Sequence, residues 1–222
     1  MYPLKRLTIL CGHYGSGKTN VAVNIATELR KACDTVTVAD LDIVNPYFRT
    51  KDSAAFFEEQ GIRLICSAYA NSNVDIPALP QEMYALTDDR SMTAVLDIGG
   101  DDRGALVLGR LAPKILAEDD YEMLMVINRY RPLTRDAAST LEVMAEIEYA
   151  GGIRFTGLIN NSNLGELTTA EDVLASREYA EEISRLSGLP LVMTSVRADL
   201  APAVEGKMPW VFPLSLQKNK YL

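Results

Sequence analysis

Eight residues, Gly12 to Thr19, read GHYGSGKT and have the composition needed to hold a chain of phosphates. Backbone N–H groups converge on phosphate oxygens only where the chain approaches closely and adopts dihedrals that glycine tolerates. Gly12, Gly15 and Gly17 supply that freedom. Lys18 adds a cation for the terminal phosphates, and Thr19 a hydroxyl that can ligate Mg2+. The segment fits G-x-x-x-x-G-K-[ST]. It follows an apolar run and leads into a helical pattern, whose first N–H groups would strengthen the cradle. His13, Tyr14, Ser16 and Asn20 complete the expected phosphate-contacting set.

Two further segments carry carboxylates to the same place. TAVLDIGG (93–100) is an apolar strand that ends in Asp97 and two glycines, a shape that brings a carboxylate to a metal directly or through water. VTVADLDIVNP (36–46) supplies Asp40 and Asp42. At a spacing of two, both point to one side of an extended chain, with Asp42 roughly 6–7 Å farther out. The expected metal set is therefore Thr19, Asp97 and Asp40. The expected catalytic set is Lys18 with Asp42, which faces the γ-phosphate and its attacking water, and Asp40. Arg103, after DIGGDD, reads first as a solvated arginine and second as an internal arginine finger.

The elements that must position these groups alternate along the chain. Strands are predicted at 6–11, 35–40, 62–68, 92–97, 122–128, 155–160 and 190–196, each nearly continuous in apolar character, as strands covered on both faces are. Helical patterns fall at 18–32, 52–60, 104–117, 134–149 and 169–187, the last opening on a capping box from Thr169 to Asp172. This order predicts βαβ units, hence a single α/β domain over 1–222: a three-layer α/β/α arrangement around a mostly parallel sheet.

Composition narrows the function. The 222 residues are 48% hydrophobic and 23% charged with net charge −8, which argues against non-specific binding to nucleic acid or an anionic membrane surface. Three scattered cysteines and one histidine do not make an ordinary zinc or iron–sulfur site. With no apolar run of membrane-spanning length and no h-region in MYPLKRLTIL, the expected location is the cytoplasm.

The combination of Gly-rich loop, D-x-D after the second strand and a strand ending in Asp97 resembles the MinD/ParA/CobQ-type P-loop NTPases. These belong to the class that includes nitrogenase iron protein and dethiobiotin synthetase. The late segments resemble it too. FTGLINNSN is similar to the family's strand ending in an adenine-reading asparagine, which falls on Asn161, with Asn160 as the alternative. AVEGKMPWVF (203–212) resembles the closing segment, so SVRADL (195–200) would lie against the base. The resemblance implies the cofactors ATP and Mg2+. It also implies an ATPase switch read by an unidentified protein partner, with a nucleotide-dependent homodimer as one form. The alternative is a phosphotransferase or ligase whose small-molecule substrate would meet Arg49, Asn71 and Asn73.

Departures are equally specific. His13 stands where the family's signature lysine reaches into a partner's site, and a neutral histidine is no permanent cation. SLQKNKYL (215–222) does not make MinD's amphipathic membrane helix, and the cysteine pairs of the metal-handling relatives are missing. VINRYRP (126–132) has no acidic residue after Asn128 at the step guanine recognition needs, and reads as a helix-leading loop or partner surface. Tyr47, Phe48 and Tyr69 fall in loops at the expected active edge, for a partner, a substrate or the core.

Overall fold

The computed structural model describes residues 2–41, 53–66, 81–100 and 102–216, the side chains of 81, 102 and 103 excepted. Eight strands form one sheet: β1 (Leu7–Cys11), β2 (Val36–Leu41), β3 (Arg63–Cys66), β4 (Thr93–Ile98), β5 (Tyr121–Ile127), β6 (Gly157–Asn160), β7 (Leu191–Arg197) and β8 (Val211–Leu214). Their order is β3-β2-β4-β1-β5-β6-β7-β8, and every pairing is parallel. The expectation of a mostly parallel sheet is met and exceeded. β8 was not foreseen as a strand. It runs along the edge, where Pro213 removes no interior ladder bond.

Alternation along the strands sorts side chains into two cores. Leu7, Ile9, Cys11, Ala39, Leu41, Leu96, Met123 and Met125 join one. Leu10, Val36, Val38, Val95, Leu124 and Val126 join the other. The first is covered by α3 (Gln81–Asp88), α4 (Asp102–Glu118), α5 (Ala137–Gly151) and α7 (Arg177–Ser187). The second is covered by α1 (Lys18–Arg30), through Val21, Ala22, Ile25, Ala26 and Leu29, and by Phe57 of α2 (Ala54–Glu59). Asp40 and Asp97 share the parity of the second set, so the sheet directs both toward the α1 side. That parity positions the site.

The helix predicted over 169–187 is two helices. The capping box forms as expected, with Thr169 accepting from the Asp172 N–H and Asp172 accepting from the Thr169 N–H, and opens α6 (Ala170–Ala175). Ser176 then ends α6: its hydroxyl donates to the Val173 carbonyl at 2.6 Å and accepts from Asn160 Nδ2 at 2.8 Å. A buried side-chain bond to the end of β6 thus overrides a continuous helical pattern. α3 and the four-residue α8 (Ala201–Val204) were likewise not foreseen; neither has a long enough apolar period to stand out from the flanking loops.

Candidate nucleotide site

Three glycines set the loop between β1 and α1. Gly12, Gly15 and Gly17 have φ of 148°, 77° and 89°, conformations that L side chains rarely adopt. Space is as restrictive as torsion. A Cβ on Gly12 would lie 2.4 Å from the Val126 carbonyl oxygen, and one on Gly17 would lie 2.3 Å from Asn161 Nδ2. The loop closes on itself through the Ser16 N–H to the His13 carbonyl, 3.1 Å. Lys18, buried at the first position of α1, donates to the same carbonyl at 3.5 Å. Among the described residues the buried Ser16 hydroxyl has no hydrogen-bond partner, an orphan that a phosphate oxygen would satisfy.

The expected metal set meets here. Thr19 Oγ1 donates to Asp97 Oδ2 at 2.7 Å. Asp40 is the register partner of Asp97 on the neighbouring strand, and both carboxylates are buried. Among the described residues no group of three His, Cys, Asp or Glu side chains forms a metal cage. Mg2+ does not require one, since it takes one or two carboxylates and completes its shell with phosphate and water. A hydroxyl and two carboxylates are hard oxygen donors of that kind, so the residues present fit this ion. Cys11 ends β1 beneath them; burial pushes its thiol well up, with the nearby Asp97 raising it and Lys18 lowering it, so it packs as a neutral side chain. Asp42 lies outside the described residues, as do Arg49, Asn71, Asn73, Tyr47, Phe48 and Tyr69, and so does the side chain of Arg103.

From this loop a cavity of about 410 Å3 runs toward the ends of β6, β7 and β8. Tyr14, Gly15, Gly17, Lys18, Thr19 and Asn20 line its phosphate end. The far end is lined by Asn161, Asn163, Ser195, Val196, Arg197 and Leu214, so the SVRADL segment does contribute to the wall. No Asp or Glu is among the described lining residues.

The two asparagines have distinct placements. Asn161 lines the cavity, but its amide is a strut: Nδ2 donates to the Ser16 carbonyl at 2.7 Å, and Oδ1 accepts from Ser195 Oγ at 2.8 Å. Oδ1 keeps a second lone pair for a ligand donor. Asn160 is buried away from the cavity, bonded to Ser176 Oγ and to the Ser162 N–H. His13 turns to its own loop, its Nδ1 lying 3.0 Å from the Tyr14 carbonyl oxygen. Arg131, from the NRYRP segment, lines the cavity beside Gly15 and had no place in the expected site. Its pairing with the loop joins positions more than a hundred residues apart, which no local pattern signals.

The DIGG turn is stacked on the loop. A Cβ on Gly100 would lie 2.6 Å from the Tyr14 nitrogen and 2.7 Å from the Gly12 carbonyl oxygen; one on Gly104 would lie 2.6 Å from the Gly99 Cα. Loop, turn and the first turn of α4 therefore touch backbone to backbone.

No family model matches the chain, and no curated protein matches it. Solved structures do. The cell division protein FtsY of Thermotoga maritima is 18% identical at a TM-score of 0.55, over 87% of this chain and 62% of that one. FtsY of Mycoplasma mycoides is 16% identical at 0.52, over 88% and 62%. Chloroplast FtsY of Physcomitrella patens is 15% identical at 0.56, over 83% and 56%. The fold is the P-loop NTPase fold. At these identities the likeness shows the fold alone and does not single out the MinD/ParA branch. The chain spans less than two thirds of the length of these structures. Among the described residues no helix is long and apolar enough to cross a membrane.

Proposed function

We propose that the chain binds Mg·ATP in this cavity and hydrolyses it as a nucleotide-controlled switch for a partner protein. The observation that carries the reading is the hydrogen bond from Thr19 to Asp97 at the mouth of a glycine-built loop, with Asp40 in register beside it. The hydroxyl follows a buried lysine in sequence, and the two buried carboxylates lie on adjacent strands, a set that suits a β,γ-phosphate pair with its metal. Mg2+, when bound, supplies neutralisation of the charge that builds on the β- and γ-oxygens during phosphoryl transfer. The chain's own residues do the rest. The loop amides and Lys18 hold the phosphates, Thr19, Asp97 and Asp40 hold the metal, and Asp42 orients the attacking water.

Adenine is favoured over guanine by the lining of the far end. Guanine presents N–H groups that a carboxylate accepts, and no carboxylate is among the described lining residues. Asn161 Oδ1 offers an acceptor that the adenine amino group can use. The backbone stack from the loop through Gly100 and Gly99 to Gly104 gives the switch its route, since a shift at the γ-phosphate must move the start of α4. Phosphate release should depend on Mg2+ and be faster from ATP than from GTP. Release independent of Mg2+, or faster from GTP, would overturn the reading.

A further inference from the structure

Among the described residues, Arg131 is a cation without an anion. Its Nε donates to the Gly15 carbonyl at 2.8 Å, while its two Nη groups make no hydrogen bond or ion pair among the described residues. The guanidinium lies against the middle of the phosphate loop: a Cβ on Gly15 would be 3.4 Å from Nε and 3.6 Å from Cζ. It also lines the cavity. The other arginine there, Arg197, is already paired bidentately with Asp199 and donates to the Glu166 carbonyl.

The segment that presents Arg131 is braced from several sides. Asn128, fully buried, accepts from the Tyr130 N–H at 3.0 Å through its side chain, and from the Arg131 N–H and Thr134 Oγ1 through its carbonyl. Tyr130 donates its hydroxyl proton to the Asp172 carbonyl at 2.8 Å. A long, charged side chain on a fixed loop loses little freedom when a ligand arrives. The surroundings fit an anion. The molecule carries a net charge of −8, yet the described cavity lining holds Lys18, Arg131 and Arg197 and no carboxylate.

We infer that Arg131 is a second phosphate-binding cation of this site, supplied by the same chain, with Nε clamped to the loop and its Nη donors turned to the polyphosphate. This rests on the reading of the cavity as a nucleoside triphosphate site. It gives the NRYRP segment a binding role inside the site, beyond leading into a helix.

Competition against a fluorescent nucleotide, with pyrophosphate, ADP and ATP as probes and GTP as a control on the wild type, tests it. Arg131→Gln keeps a donor for the Gly15 carbonyl and removes the charge; Arg131→Lys keeps the charge. The expected result is that Arg131→Gln weakens all three probes by a common factor of about ten to a hundred, and that Arg131→Lys recovers most of the loss. Pyrophosphate affinity unchanged while ATP weakens would make Arg131 a base contact and overturn the inference. So would full affinity in Arg131→Gln, which would leave only a structural bond to Gly15. A wild type that prefers GTP would overturn the adenine reading alone, because the pyrophosphate comparison still reads Arg131. A wild type that binds none of the probes would end both.

Discussion

Thr19 and Asp97 join the start of α1 to the end of β4. The loop motif gives the hydroxyl, the strand ending in two glycines gives the carboxylate, and the structure joins them at 2.7 Å. Asp40 follows from strand alternation and falls in register with Asp97. Asp97→Asn keeps the shape and removes the charge. ATP binding without Mg2+ should be little changed, while Mg2+-dependent phosphate release should fall about tenfold or more, measured at saturating metal. Asp42→Ala should separate binding from turnover: Mg·ATP still binds, and release falls. Normal turnover in that variant would hand the water-orienting role to Asp40. What the sequence could not disclose at this scale were the bonds of Asn161 and Arg131. Each reaches the phosphate loop from a strand end distant in sequence, and both Asn161 amide groups are taken up by Ser16 and Ser195.

At the scale of elements, seven of the strands were readable because each is a short apolar run in a strand–helix alternation. β8 was not, since an edge strand holding Pro213 and led in by a left-handed Trp210 lacks that signature. The sequence predicts one helix over 169–187, because the bond at its break, Asn160 to Ser176, belongs to the tertiary structure. The Asn161 strut ties β6, β7 and the phosphate loop together. Asn161→Ala leaves the buried Ser16 carbonyl without its Asn161 donor and Ser195 Oγ without its Asn161 acceptor, and should cost about 1–3 kcal/mol in denaturant unfolding. A changed ATP-to-GTP preference in the same variant would show that Oδ1 also reads the base. At the opposite end of the sheet, Glu122 of β5 is buried, accepting from the Lys5 N–H at 2.9 Å and Thr8 Oγ1 at 3.1 Å. Burial raises its pKa, against the lowering effect of these bonds and of Lys5. The folded chain therefore holds a proton at pH values just above the ordinary carboxylate range that the unfolded chain has lost. That contribution to stability is present below the unfolded pKa and disappears as pH rises through the folded one. Glu122→Gln keeps an acceptor and removes the charge. Its melting temperature relative to wild type should be higher at pH 8 than at pH 5; a constant difference would contradict the assignment.

At the scale of the whole molecule, the cations of the described cavity lining come from three separate elements: Lys18 from α1, Arg131 after β5 and Arg197 from β7. Among the described residues the His13 side chain hydrogen-bonds within its own loop. If His13 serves as a loop residue, specific ATPase activity should be nearly independent of protein concentration, and His13→Ala should change ATP affinity by less than about 1 kcal/mol, because the loop amides survive. Activity that climbs steeply with concentration and vanishes in His13→Ala would mean that the histidine acts across a homodimer. The most direct test of the central claim is calorimetric titration of the folded chain with ATP and with GTP in the presence of Mg2+, repeated for Lys18→Ala. The account predicts tighter binding of ATP than of GTP and a loss of about ten- to a hundredfold or more in ATP affinity on removing the lysine. Equal or tighter binding of GTP, or undiminished ATP binding by a folded Lys18→Ala protein, would contradict it.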